Sequence, residues 1–116
     1  MITLTVDDRR LVVTMLQNTL SRIAPKGKHY GFSNIQEALD CADKNTIDIA
    51  FLDVEMPEMT GIELAKELQK RNPTINIIFI TGYKEYMGDA FGLYASGYLL
   101  KPVKEAAIGE ALNHLR

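Results

Sequence analysis

Ile47-Asp48-Ile49-Ala50-Phe51-Leu52, followed after Asp53 by the helical pattern Ile62–Arg71 and then by Ile75-Asn76-Ile77-Ile78-Phe79-Ile80, decides the fold of this chain. Both apolar runs are nearly unbroken, as strands covered on both faces must be, whereas a half-solvated strand alternates. The helix between them has its own start and stop signals. Thr60 with Glu63 fits a capping box, and Asn72-Pro73 ends the helix because proline can neither continue it nor tolerate a helical predecessor. Two covered strands joined by a helix are parallel, and the crossover is right-handed.

The same alternation extends outward in both directions. Upstream lie strand Ile2–Val6, helix Arg9–Ile23 with Val12, Leu16, Thr19, Leu20 and Ile23 on one stripe, strand Lys28–Phe32, and helix Ile35–Lys44 opened by a second capping-box pattern, Ser33 with Gln36. Downstream come helix Lys84–Tyr94, strand Gly97–Leu100 and helix Val103–Leu115. Five strand-then-helix repeats predict an α/β doubly wound three-layer sandwich with five parallel strands and five helices, in the flavodoxin-like order 2-1-3-4-5. In that order the crossovers from strands one and three leave on opposite faces, and a crevice opens at their carboxyl ends.

A length of 116 residues suits one domain, and 47% hydrophobic with 24% charged residues is globular composition. Thirteen basic against fifteen acidic residues offer no footprint for a phosphate backbone, so this segment is not expected to bind nucleic acid by itself. Cys41 is a lone cysteine, no apolar run approaches the ~18–20 residues of a membrane span, and no signal-peptide pattern opens the chain. The expected location is the cytoplasm.

The predicted strand ends bring chemistry to one rim: Asp7-Asp8 after strand one, Asp53 after strand three, Thr81 after strand four, Lys101-Pro102 after strand five. Each has a bland reading alone. Asp7-Asp8 suits the start of a helix, Thr81 a turn, Lys101 a surface ion pair and Pro102 a first helical residue. Asp53 resists such a reading, because a carboxylate directly after Ile49-Ala50-Phe51-Leu52 is partly buried and needs a partner or metal. Together, three crowded carboxylates suit Mg²⁺ with phosphate oxygens nearby, a lysine neutralises phosphoryl charge, and a threonine hydroxyl donates to it. No GKS/T loop, GxGxxG or Ser/His/Asp set supports nucleotide binding or acyl transfer.

Val6-Asp7-Asp8, Phe51-Leu52-Asp53-Val54-Glu55-Met56-Pro57-Glu58-Met59-Thr60-Gly61, Ile80-Thr81-Gly82 and Gly97-Tyr98-Leu99-Leu100-Lys101-Pro102-Val103 together resemble the receiver domain of bacterial two-component response regulators, over essentially the whole chain. Glu85-Tyr86 and Ala95-Ser96-Gly97 through Val103 look most like the LytR/AlgR type, whose receivers usually precede a LytTR DNA-binding domain. The resemblance implies that Asp53 is the phosphorylation site, fed by a histidine kinase, in a Mg²⁺- (or Mn²⁺-) dependent reaction. It implies Asp8 and Asp53 as direct metal ligands, the Glu55 backbone carbonyl as another, and Asp7 acting through water. Thr81 and Lys101 would hold phosphoryl oxygens, Thr81 and Tyr98 would form the switch, and the Lys101-Pro102 bond would be cis. Activation is then expected to pass to a face made by the fourth helix, fifth strand and fifth helix, used for dimerisation.

Arg9 stands where the family often has an acidic or small polar residue. Glu55 and Tyr83 are expected to tune phosphoryl lifetime, and Gly88 and Gly92 to leave the fourth helix marginal. His29 and His114 read as ordinary strand or surface residues, and Cys41 as a small hydrophobe. The chain halts inside its last helix, at Leu115-Arg116, which suggests an output domain beyond residue 116. A stand-alone receiver acting as a phosphorelay or partner-binding switch is the alternative. A Mg²⁺-dependent phosphohydrolase using Glu55 is a remoter one, lacking a cap insertion or substrate pocket.

Overall fold

The computed structural model describes residues 1–82 and 95–115. Five strands, β1 (Ile2–Val6), β2 (Lys28–Phe32), β3 (Ile49–Asp53), β4 (Asn76–Thr81) and β5 (Gly97–Leu100), form one sheet in the order β2-β1-β3-β4-β5, all neighbours parallel. Helices α1 (Arg10–Ile23), α2 (Ile35–Lys44) and α3 (Gly61–Arg71) and a C-terminal helix (Glu105–Asn113) cover it. The expected strand order is thus the observed one. Among the described residues there are four helices; the expected helix 84–94 falls outside them, with Tyr83, Gly88 and Gly92.

Period-two alternation explains the layering, since successive side chains of a strand point to opposite faces. On β3, Ala50 and Leu52 join Leu4, Val6, Ile77 and Phe79 under α2 and α3. Ile49 and Phe51 join Ile78 and Ile80 on the other face, under Leu16 and Leu20 of α1 and Ile108 of the C-terminal helix. Every residue of β3 and β4 is buried, as the two apolar runs require. Gly31 lets α1 approach β2 closely: a Cβ there would lie 2.5 Å from Val13 Cγ1 and 2.6 Å from Gln17 Cδ.

Three local readings change. Both central strands start later than expected and run into their rim residues, so Asp53 and Thr81 are themselves ladder residues, facing Ile80 and Leu100. The Ser33/Gln36 capping box does not form. Asn34, one residue nearer the helix, caps α2 by accepting the Glu37 N–H at 2.9 Å, and Gln36 turns along the helix to Asp40. Asparagine caps as well as serine, and here it holds the extended backbone next to the first turn; the displaced Ser33 hydroxyl is buried with no hydrogen-bond partner among the described residues. The Thr60/Glu63 box is present, both bonds at 3.1 Å. The C-terminal helix begins at Glu105 instead of Val103, with Lys104 at its N-cap.

Among the described residues no helix is long and apolar enough to cross a membrane. His29 lies on β2 with its ring nitrogens 2.8 Å from Thr3 Oγ1 and 2.8 Å from the Ala24 carbonyl. His114 is exposed, and Cys41 is buried in the α2 face of the core.

Candidate functional site

The rim of the sheet gathers the residues that end β1, β3 and β5. Asp7 is buried. Its Oδ2 accepts from Lys101 Nζ at 2.7 Å and its Oδ1 from the Arg9 N–H at 2.9 Å. That second bond turns the chain into α1, whose N-cap is Arg9 with no side-chain cap; neither aspartate caps the helix. Asp53 is also buried, with Oδ2 3.5 Å from the same ammonium and Oδ1 accepting the Glu55 N–H at 3.3 Å. Asp8 is exposed and makes no hydrogen bond or ion pair with a described residue.

Carboxylate oxygens of Asp7, Asp8 and Asp53 all lie within 4.8 Å of one another. Three hard oxygen donors, one of them without a partner among the described residues, fit Mg²⁺ or Mn²⁺, which take one or two carboxylates and complete their shells with water and phosphate oxygens. The site opens into a cleft of about 640 Å³ whose walls include Asp8, Asp53, Glu55, Gly82 and Lys101. A smaller depression of about 210 Å³ at the far end of the sheet, near Arg71 and Asn72, carries no such cluster among the described residues.

Burial, then the negative charge of Asp7, raises the Asp53 carboxyl from 3.8 to about 6 against the opposing pull of Lys101. An acid that holds its proton more tightly when folded stabilises the fold fully below pH 3.8, and that contribution is lost as pH rises through about 6. Asp53→Asn should therefore raise the stability of the metal-free protein by about 3 kcal/mol near neutral pH and far less near pH 4. Thermal melts at the two pH values measure it; an equal gain at both would remove the charge explanation.

The other expected site residues are placed unevenly around this centre. Thr81 is fully buried at the end of β4, where its carbonyl accepts the Lys101 N–H at 2.8 Å, but it is not part of the cleft wall. Tyr98 is half-buried on β5, opposite Phe79, with ring centroids 6.4 Å apart. The Lys101–Pro102 peptide bond is cis. Sequence reasoning overlooked a structural duty for Gly61. Its N–H donates to the Val54 carbonyl at 2.8 Å, and a Cβ there would collide with the Asp53 carbonyl oxygen. A glycine a fixed distance beyond the acceptor, closing a loop back onto it, was the available signal.

A family model described as the response regulator receiver domain matches residues 3–113. The chain is a response regulator receiver domain. This receiver domain is 35% identical over 113 residues to the transcriptional regulatory protein LytR of Staphylococcus aureus (strain N315), covering 97% of the chain and 46% of that protein. It spans about half the length of the curated relatives it matches. Among solved structures, Vibrio cholerae chemotaxis protein CheY4 superposes with a TM-score of 0.87 at 26% identity, over 99% of this chain and 98% of that one. Response regulator TrrA of Thermotoga maritima, solved in complex with Mg²⁺-BeF, superposes with a TM-score of 0.83 at 28% identity, over 97% and 96%. The receiver domain is thus of the LytR type in sequence and CheY-like in fold.

Proposed function

We propose that Asp53 accepts a phosphoryl group from a phosphohistidine of a sensor histidine kinase. One observation carries the reading: a buried carboxylate, 3.5 Å from a lysine ammonium, faces an open cleft beside two further carboxylates. An Asp53 oxygen attacks phosphorus, the P–N bond of the donor breaks, and an acyl phosphate forms. Asp8, Asp53 and the Glu55 backbone carbonyl would hold Mg²⁺ or Mn²⁺, with Asp7 acting through water, and the ion would supply neutralisation of charge on the transferring phosphoryl oxygens. TrrA, solved with Mg²⁺-BeF, supports the assignment.

Lys101 already reaches both Asp7 and Asp53, so its ammonium needs only a small shift to meet a phosphoryl oxygen. Thr81 closes on another oxygen from the end of β4, and Tyr98 completes its burial in the space this frees. The change is passed to the face of β5 and the C-terminal helix, which we assign to dimerisation; the helix expected at 84–94 lies outside the described residues. Output runs through a DNA-binding domain of LytTR type, a reading supported by the name of the S. aureus relative. The receiver's own chemistry is confined to gaining and losing this phosphoryl group.

Incubation with acetyl phosphate and Mg²⁺, read by intact mass, should add one phosphoryl group to the wild type and none to Asp53→Asn. Labelling that survives the substitution, or multiple turnover of phosphomonoesters, would overturn the acceptor assignment. Light scattering on the same samples should show a larger mass for the labelled form, and equal masses would speak against dimerisation. For the longer protein, promoter binding indifferent to phosphorylation would count against the DNA-binding output.

A further inference from the structure

The acceptor reading leaves one charged side chain at the cleft without a task. Arg9 stands in the cleft wall with Asp8, Asp53, Glu55 and Lys101. Its backbone is committed: the N–H donates to Asp7 Oδ1 at 2.9 Å, and the carbonyl accepts from Val12 and Val13 at 3.1 and 3.3 Å. Its guanidinium makes no hydrogen bond or ion pair with any described residue, although four carboxylates line or adjoin the same cleft. Helix formation does not explain it either. Arginine is a poor N-cap, forms no cap bond here, and meets the positive end of the α1 dipole.

The charges of the cleft wall make the side chain consequential. Asp7, Asp8, Asp53 and Glu55 against Arg9 and Lys101 leave two net negative charges, which a divalent cation cancels; without Arg9 the loaded site would keep one net negative charge and repel an anionic donor. A guanidinium also presents a planar fork that matches two phosphoryl oxygens, unlike the point charge of a lysine. Lys101 is occupied by Asp7 and Asp53 before any donor arrives, whereas the Arg9 guanidinium is paired with none of the described residues.

We propose that Arg9 is a specificity-determining residue that favours dianionic small-molecule phosphoryl donors, of the acyl phosphate class, at the expense of affinity for the divalent cation. This rests on the acceptor reading of Asp53. The transfer is balanced without a proton or co-reactant. An Asp53 oxygen bonds to phosphorus, the phosphorus–oxygen bond of the acyl phosphate breaks, and the donor leaves as its carboxylate, one acyl phosphate replacing another.

Labelling rates followed by intact mass at saturating Mg²⁺ test it, with acetyl phosphate as the dianion and phosphoramidate as a less negative donor. Arg9→Ala should slow labelling by acetyl phosphate roughly tenfold and flatten its salt dependence, with a much smaller effect on phosphoramidate. Mg²⁺ affinity of the unlabelled protein, by calorimetry, should rise roughly fivefold as a nearby positive charge is removed. Arg9→Lys should recover part of the acetyl phosphate rate. A purely structural role would lower labelling and Mg²⁺ affinity together and equally for both donors, and that result overturns the inference. If wild type and Arg9→Ala are labelled alike, the inference fails while the acceptor reading stands; if the wild type is not labelled by either donor, both fall.

Discussion

Lys101→Ala is expected to destabilise the metal-free protein by about 2–4 kcal/mol, and Mg²⁺ to return much of that loss. Asp7 is 1% exposed and Asp53 6%, and the Lys101 ammonium lies 2.7 Å from one and 3.5 Å from the other. Without it, two buried carboxylates face each other with single backbone N–H donors, from Arg9 and Glu55, as their remaining polar partners shown at the rim. Breaking a buried ion pair from one side costs more than the pair itself contributes, because the remaining charge stays desolvated. The melting temperature should fall by on the order of 10 °C. Adding Mg²⁺ should raise it more in the variant than in the wild type, since a cation then supplies the missing compensation.

Two controls separate charge from packing. Lys101→Met keeps the aliphatic stem and should lose nearly as much as Lys101→Ala. In an Asp53→Asn background the loss should shrink, because one of the two stranded carboxylates is gone and the sites are coupled. Equal melting of wild type and both Lys101 variants would show that the rim charges are solvated well enough to need no lysine.

Gly61→Ala is expected to cost about 3 kcal/mol or more and to slow phosphoryl acceptance in whatever fraction folds. The added methyl would overlap the Asp53 carbonyl oxygen and sit 2.8 Å from its carbon and 3.0 Å from Val54 Cα, all of them backbone atoms at the end of a central strand. A flexible side chain could swing away; a laddered backbone cannot without breaking pairing between β3 and β4, where Asp53 faces Ile80. The loop 54–60 would have to lift, losing the 2.8 Å bond from the Gly61 N–H to the Val54 carbonyl and shifting the Glu55 N–H that holds Asp53 Oδ1. Denaturant unfolding gives the energy. Gly109→Ala, at an open position of the C-terminal helix, is the contrast and should be neutral or slightly stabilising. A Gly61→Ala protein as stable as wild type would show that the loop has a second seat on the strand.

The architecture was legible because it depends on average properties of long segments. The runs Ile47–Leu52 and Ile75–Ile80 are apolar enough to demand cover on both faces, and the periodic helix between them sets direction and handedness. Segment ends were less legible, because they turn on competition between equivalent local groups. Ser33 and Asn34 can both cap a helix, and the course of the chain leaving β2 selected Asn34. Nothing in the composition of Asp-x-x-Met-Pro-x-Met-x-Gly shows that its glycine rests on the carbonyl of its own aspartate.

By itself, the amino-acid order determined which residues reach the rim, since the strand ends of a parallel sheet share one edge wherever the crossovers are short and right-handed. Only the tertiary structure decided how they divide their partners there. Lys101 commits first to Asp7, 94 residues away, and more loosely to Asp53; Asp8 and Arg9 take no partner among the described residues at the cleft. Such choices depend on differences of less than an ångström between side chains delivered by separate strands, and on burial that weakens solvent screening. Spacing along the chain carries neither quantity.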